Sequence, residues 1–445
     1  MKKREYNTKP PAGTRDFLPS EVRFRKEVLD IVTNVIESFG FEPLETPAFE
    51  RIETLIGKYG EEPQKLLFKI LKRGEKEVRG EVDLALRYDF TVPLARVIAE
   101  YRNRLPKIFK RYQVGPVWRA DRPGKGRFRE FYQYDIDIVG STSLAADVEV
   151  ITAFSEVLSK LGIKDFIIRL NSRKVLWGLT EICGIPKHLQ ADFLIVLDKL
   201  DKIGINGVVR ELEKRGIPLG GFTKLILGGN EDNHAAMVAA LRSSAVGREG
   251  MSEVQELKSY LGDILQEGVV AFDPFLARGL DYYTGPIFEI NVKDFTGSVV
   301  GGGRYDELIG VFSPNNIPAC GGSLGIERIF LILKDQKRDE KLMSPTQALI
   351  TVWGEDYRRD AFVLAAQLRK RGLFVETYLG KDKISQQIGY ASKKSIRFVI
   401  ISGPDEKRKG TVTLKNLQTG EQKSILKNEL VSILQLQNEF GKEGR

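Results

Sequence analysis

The sequence predicts an α+β domain, an antiparallel sheet flanked by helices, with a helical insertion and a separate C-terminal α/β domain. Three observations predict it. Strand-like stretches separated by hairpin-like turns run from about DLALRYDF through IFKRYQVGPVW and FREFYQYDIDIVG, and resume from VVAFDPF to CGGSLGIERIFLILK. Between them, residues 176–262 carry a mainly helical pattern that interrupts the strands. Beyond the charged stretch KDQKRDEKLMSP, strand and helix patterns alternate as β–α–β–α–β. The boundaries expected are 1–335 for the first domain with its insertion at about 176–262, 336–345 for a linker, and 346–445 for the α/β domain. A chain of 445 residues is too long for one core.

In order along the chain, SEVRFRKEVLDIVTNVIESFGF reads as a helix. Ser20 can cap it, Val28, Ile31, Val32, Val35 and Phe39 recur at helical spacing, and Gly40 can close it. FEPLETPAF is strand-like but holds Pro43 and Pro47, which favours an edge. DLALRYDFTVPLARVIAEY is a strand turning into a helix, and the stretch from Ile108 to Gly140 is a strand–loop–strand hairpin. In the last domain, ALITVW, a helix from about Tyr357 to Arg371, FVETYL, a helix from about Ile384 to Lys394, and RFVIIS form the alternation. TVTLKNLQTGEQKSI follows as a hairpin turning at Gln418-Thr419-Gly420.

Composition excludes several classes of function. Hydrophobic residues are 42% and charged ones 29%, ordinary for a soluble globular protein. Cys183 and Cys320 are too few for a disulfide framework or a thiolate metal site, which fits a reducing cytoplasm. His188 and His234 cannot build a multi-histidine zinc site. No apolar run reaches the ~18 residues that span a membrane, and MKKREYNTKPP lacks the apolar core of a signal peptide. No P-loop and no G-x-G-x-x-G after a strand occurs, so bound nucleotide phosphates would be held by side chains. From Gln347 onward, 18 Lys/Arg stand against 11 Asp/Glu, an excess of seven within a net charge of +9. Such a surface suits a polyanion such as nucleic acid.

The densest chemistry lies in the second strand of the hairpin. Alternate side chains of an extended strand share a face, so Arg127, Arg129, Phe131, Gln133, Asp135 and Asp137 line one side. That face is roughly 33 Å long at 3.3 Å per residue. Its order is cationic, aromatic, acidic, which suits a ligand with an anionic group, a flat ring and a cationic group; a solvated sheet face alternates in the same way. Arg119, Arg127, Arg278 and Arg328 sit at strand ends, in loops or at a helix start, and arginine can bind phosphate oxygens bidentately.

These stretches resemble class II aminoacyl-tRNA synthetases, and within them the histidyl-tRNA synthetase family. The resemblance runs from PPAGTRDFLP to the C-terminal hairpin. The first long helix and the strand ending at Pro47 resemble the dimer-interface motif, VWRADRPGKGRFREFYQYDIDIVG the second class motif, and CGGSLGIERIFLIL the third. ARGLDYYTGPIFE and GGGRYDEL are the most specific. The resemblance implies that ATP and L-histidine meet along this strand, with Mg2+ on the phosphates. Arg119, Asp121, Arg127, Phe131 and Arg328 would bind ATP: Arg119 at the α-phosphate, Arg127 at the distal phosphates, Phe131 against adenine and Arg328 on its other face. Asp89, Thr91 and Gln133 would hold the histidine α-amino group, and Asp137 and Tyr283, with Tyr282 beside them, the imidazole. Arg278, bridging the histidine carboxylate and the α-phosphate, would be catalytic together with Arg119. The resemblance also implies a cytoplasmic homodimer with tRNA(His) as partner, the C-terminal domain binding the anticodon. The alternative is a catalytically inactive histidine-binding paralogue, the regulatory subunit of ATP phosphoribosyltransferase. That paralogue generally lacks the C-terminal domain and often loses the arginines. Asp121 and Asp137 stand where many bacterial members have glutamate.

Overall fold

The computed structural model describes residues 7–56, 65–124, 126–222, 233–278, 282–336, 338 and 344–435. The chain divides into a larger compact unit reaching to Gln336 and a second one that takes in the residues beyond it together with Pro19–Phe24.

The larger unit is built on an eight-stranded sheet. Its strands lie in the order Glu42–Pro43, Phe109–Trp118, Glu130–Val139, Ala319–Leu324, Ser298–Arg304, Pro286–Val292, Phe166–Ser172 and Val270–Phe272. The inner pairs are all antiparallel. Each edge strand instead pairs parallel with its neighbour, so the sheet is mixed. Helices lie in the crossovers that parallel pairing requires: Thr91–Tyr101 between Glu42–Pro43 and Phe109–Trp118, and the helical segment ending with Ala245–Ile264 between Phe166–Ser172 and Val270–Phe272. Pro43 stands at that edge, where its missing N–H removes no ladder bond. A second antiparallel sheet, Phe49–Arg51, Val82–Leu86 and Lys69–Leu71, feeds helix Thr91–Tyr101.

The first helix begins at Pro19, so Ser20 lies inside it and does not cap it; proline at the first helical position loses no intrahelical hydrogen bond. Val28, Val32, Val35 and Ile36 form its buried stripe, and Gly40 follows at φ +79°. The central strand starts at Glu130, not at Arg127. Upstream, Gly124 and Arg127 bridge to each other, and the Arg129 N–H donates to the Gly13 carbonyl at 2.8 Å. The chain is therefore turned by local and N-terminal bonds before the ladder begins. From Glu130 on, the alternation holds: Tyr134, Ile136 and Ile138 are buried on the face away from the cavity, with Tyr134 stacked on Tyr112 at 5.5 Å.

Between strands Phe166–Ser172 and Val270–Phe272 the described elements are all helical, from Arg173–Ile182 to Ala245–Ile264. Their apolar faces, among them Leu176, Phe193, Leu212 and Phe222, share a core with helix Thr91–Tyr101. The second unit has its own five-stranded sheet in the order Val375–Thr377, Ala348–Ile350, Phe398–Ile401, Thr411–Asn416 and Gln422–Leu426. The first three strands are parallel and the last two form a hairpin. Helices Glu355–Lys370 and Ile384–Lys393 connect the parallel strands.

Candidate active site

The glycine run GGG sets the floor of the site. Gly301, Gly302 and Gly303 pair with Ser323, Gly322 and Gly321 on the adjacent strand. A Cβ on Gly302 would stand 2.2 Å from the Gly321 carbonyl oxygen. One on Gly301 would stand 1.8 Å from Arg278 Nη1, and one on Gly321 2.0 Å from Asp137 Oδ1. Backbone without side chains thus lets functional groups lie directly on the sheet.

Above that floor is a cavity of about 1000 Å³. Its lining includes every residue given an ATP, histidine or catalytic role from the sequence: Asp89, Thr91, Arg119, Asp121, Arg127, Phe131, Gln133, Asp137, Arg278, Tyr282, Tyr283 and Arg328; Arg129 of the strand-face pattern is not among them. They arrive from separate elements. Asp89 precedes helix Thr91–Tyr101, and its Oδ1 accepts from the Val92 N–H at 3.2 Å, fixing the helix start. Thr91, the first helical residue, hydrogen-bonds the Tyr282 side chain. Arg119 leaves the end of strand Phe109–Trp118. Its guanidinium lies 4.3 Å from the Tyr88 ring centroid and 5.1 Å from that of Phe131, and its Nη2 donates to Gln133 Oε1 at 3.3 Å. The Asp121 carbonyl accepts from Arg129 Nε at 3.0 Å. Arg278 Nη1 donates to Glu289 Oε1 at 2.8 Å. Arg328, in the first turn of helix Ile326–Asp335, donates to the Ser298 carbonyl. Residues 279–281, inside ARGLDYYTG, lie outside the described residues.

Charges of both signs line the cavity. Burial lowers the Arg328 pKa; Glu289 opposes this, and the positive charges of Arg278, Arg127 and Arg119 lower it further. Four guanidinium groups that repel one another form a receptor for several negative charges. In the same lining, Asp89, Asp135 and Asp137 are buried at 4%, 2% and 2% exposure. Burial raises the pKa of Asp137, while Arg111 and the Tyr305 hydroxyl act to keep it ionised. Arg111 is fully buried, faces Asp137 across the ladder, and places Nη2 2.6 Å from its Oδ2. Tyr305 donates to Oδ1. Tyr282 packs on Tyr283 at 4.8 Å and on Tyr305 at 5.7 Å between ring centroids. Among the described residues, no cluster of three or more His, Cys, Asp or Glu could hold a metal ion.

The family model for histidyl-tRNA synthetase matches residues 13–329, and that for the anticodon binding domain residues 347–437. The chain belongs to the histidyl-tRNA synthetase family. Among curated relatives, the histidine–tRNA ligase of Phocaeicola vulgatus is 39% identical over 447 aligned positions, covering 95% of this chain and 98% of that protein. That of Porphyromonas gingivalis is 40% identical, covering 93% and 96%. Among solved structures, the histidyl-tRNA synthetase of Nostoc sp. PCC 7120 superposes with a TM-score of 0.79 at 32% identity, covering 97% of this chain and all of that one.

Several lining or supporting residues of this histidyl-tRNA synthetase family member were not assigned a role from the sequence. Arg111 sits inside the strand FKRYQVGPVW, where a fully buried cation requires a partner, but its neighbours Lys110 and Tyr112 do not mark it as buried. Tyr305 is part of GGGRYDEL, and Ser323 of CGGSLGIER. Asp135 is on the polar face of its strand, but nothing in the alternation says what it serves. Leu197, Asp198, Leu200, Asp201 and Lys202, from the helical segment, also line the cavity. No periodicity signal links a helix face to a distant pocket.

Proposed function

We propose that this protein activates L-histidine with ATP and transfers it to tRNA(His), as a histidine–tRNA ligase. The observation that carries the reading is the gathering in one cavity of four arginines with buried aspartates and paired tyrosines, Arg278 reaching the Tyr283 side chain. A triphosphate suits the arginines, and an α-ammonium with an imidazole suits the acids and tyrosines. The imidazole offers one donor and one acceptor, which Asp137 and Tyr283 complement. Asp89, Thr91 and Gln133 receive the α-amino group. Phe131 and Arg328 sandwich the adenine, Arg127 takes the distal phosphates, and Asp121 lies on the ATP side.

The histidine carboxylate attacks the α-phosphorus and pyrophosphate leaves. Negative charge grows on the α-phosphate oxygens, where Arg119 and Arg278 stabilise it. Positioning and charge suffice, and no side chain becomes covalently attached. The terminal ribose hydroxyl of the tRNA then attacks the histidyl-adenylate carbonyl, releasing AMP. Mg2+ would accompany the ATP phosphates and neutralise part of their charge.

Residues 1–335 make the catalytic domain, with the insertion of about 176–262 approaching the tRNA acceptor end. Residues 346–445, past a linker at 336–345, make the anticodon-binding domain. The protein works as a homodimer in the cytoplasm. Among the described residues, no helix is long and apolar enough to cross a membrane. The regulatory-paralogue reading is not favoured, since the arginines and the anticodon-binding domain are both present.

Pyrophosphate exchange, run with each of the twenty amino acids and MgATP without tRNA, tests this reading. Exchange is expected with histidine alone. Folded protein that binds histidine yet exchanges with none would revive the regulatory reading. Arg278→Ala is expected to lower adenylate formation by orders of magnitude with the fold intact, and near-wild-type activation would remove its assigned role.

A further inference from the structure

A hydrogen-bond chain below the cavity runs through Gln133, Ser323 and Asp135. Gln133 and Asp135 share the cavity face of strand Glu130–Val139, and Ser323 pairs with Asp135 on the neighbouring strand. Gln133 Nε2 donates to Ser323 Oγ at 2.5 Å. Ser323 in turn hydrogen-bonds the Asp135 carboxylate, lowering its pKa as a donor to the charged form does. Asp135 Oδ1 is buried and has no hydrogen-bond partner among the described residues.

The direction of this chain is fixed by chemistry. A carboxylate only accepts, so the single Ser323 proton goes to Asp135. The Ser323 oxygen is then left to accept, and only the NH2 end of the Gln133 amide can satisfy it. Gln133 Oε1 must face the other way, toward the cavity, where Arg119 Nη2 donates to it at 3.3 Å. An α-ammonium group carries donors only and requires an acceptor at that position.

We propose that Asp135 is a positioning residue for the amino-acid substrate: through Ser323 it fixes the Gln133 amide with its oxygen toward the substrate α-ammonium group. The inference rests on the assignment of Gln133 to that group. It makes the orientation conditional on protonation. Burial is the largest cause that raises the Asp135 pKa, to about 7; Arg111 opposes it, and Asp137 and Asp89 add to it. These are the charged groups acting on Asp135, from the facing strand Phe109–Trp118, from its own strand, and from the start of helix Thr91–Tyr101. Once protonated, Asp135 donates to Ser323, the Ser323 proton turns to Gln133, and the amide reverses, offering NH2 to an ammonium.

The test is pyrophosphate exchange by the full chain, reading KM for histidine, KM for ATP and kcat between pH 5.5 and 8.5. Wild-type exchange with histidine first establishes the reaction itself, so a failure of the relay is distinguishable from a failure of the functional reading. Losing one oriented bond to a charged group predicts that Asp135→Ala and Ser323→Ala each raise the histidine KM about tenfold. The ATP KM is expected to stay within about twofold of wild type, since that change lies below one neutral hydrogen bond. The double variant is expected to be no worse than either single one, because both cut the same chain. Asp135→Asn keeps an acceptor but cannot titrate, so it is expected to retain the wild-type histidine KM at pH 8 and, with KM expressed as the concentration of histidine carrying a neutral imidazole, to lose the further rise below pH 7. A histidine KM unchanged in both alanine variants would overturn the proposal, as would an equal rise in the ATP KM, additive effects in the double variant, or an acid-side rise in the KM for neutral-imidazole histidine that persists in Asp135→Asn. Ser323→Ala, a change of one hydroxyl, keeps the test open if Asp135→Ala does not fold.

Discussion

Arg111 is the side chain on which the acidic end of the cavity depends. It sits at 0% exposure beside Asp137 at 2%, with Asp135 two residues along the same strand face. Removing one partner of such a buried pair costs about 3–5 kcal/mol, because the remaining charge is left uncompensated. Arg111→Met, similar in length and uncharged, is therefore expected to lower unfolding stability by that amount in a urea titration and to raise the histidine KM. Stability unchanged from wild type would mean that Asp137 is satisfied without it. The acids leave a second trace. Burial raises Asp135 to about 7 and Asp147 to about 6, from 3.8. Both bind protons more tightly folded than unfolded, so their stabilising contribution is complete below about pH 4 and is lost as pH rises to about 7. Asp135→Asn is expected to flatten that part of the melting temperature against pH in the ligand-free protein; a curve parallel to wild type would show that Asp135 does not titrate there.

Between elements, Glu327 ties the N-terminal segment to the helix that carries Arg328. It opens helix Ile326–Asp335, one residue before Arg328. Arg25 donates to both its oxygens at 3.0 and 2.8 Å, Arg15 donates at 2.6 Å, and the Tyr132 N–H reaches it at 3.3 Å. Burial would raise the Glu327 pKa, but Arg25 and then Arg15 outweigh it and the pKa is lowered. Its stabilisation is thus present above about pH 4.5 and lost on acidification. Arg15 also lies 3.5 Å from the Phe128 ring centroid, beside Arg127. Arg25→Ala, which removes a buried bidentate partner, is expected to cost about 3 kcal/mol and to raise the KM for ATP more than that for histidine. Equal change in both would make the clamp purely structural. This link could not be read from sequence, because Arg15, Arg25 and Glu327 are about three hundred positions apart and no local pattern joins them. Elements with strong periodicity were legible: the first long helix, the central hairpin and the C-terminal alternation all follow from apolar spacing. What stayed hidden was set by register. Asp135 and Ser323 meet only because strand Ala319–Leu324 pairs antiparallel with Glu130–Val139 in one alignment, and a shift of one residue would face them oppositely. The glycines of GGGRYDEL were visible as letters, but their need for bare backbone shows only once Arg278 and the neighbouring strand lie against them.

For the whole molecule, each unit has its own core and sheet, which predicts separable effects. Deleting residues beyond about 345 is expected to harm tRNA charging more than adenylate formation; equal loss in both would mean that the segment supports the fold of the rest. The positive excess of seven beyond Gln347 makes tRNA binding a matter of counterion release. The KM for tRNA is accordingly expected to rise with salt far more steeply than that for histidine, and parallel slopes would argue against an electrostatic tRNA surface. The arginine end of the cavity has a consequence for handling the protein and for its working cycle. Guanidinium groups that repel one another do not select adenosine by charge; any compact dianion relieves their repulsion. Sulfate or phosphate in a purification buffer should settle there, raise the melting temperature and compete with ATP. Pyrophosphate, left behind after each activation, should hold on more tightly still, so turnover depends on how quickly it is cleared from solution.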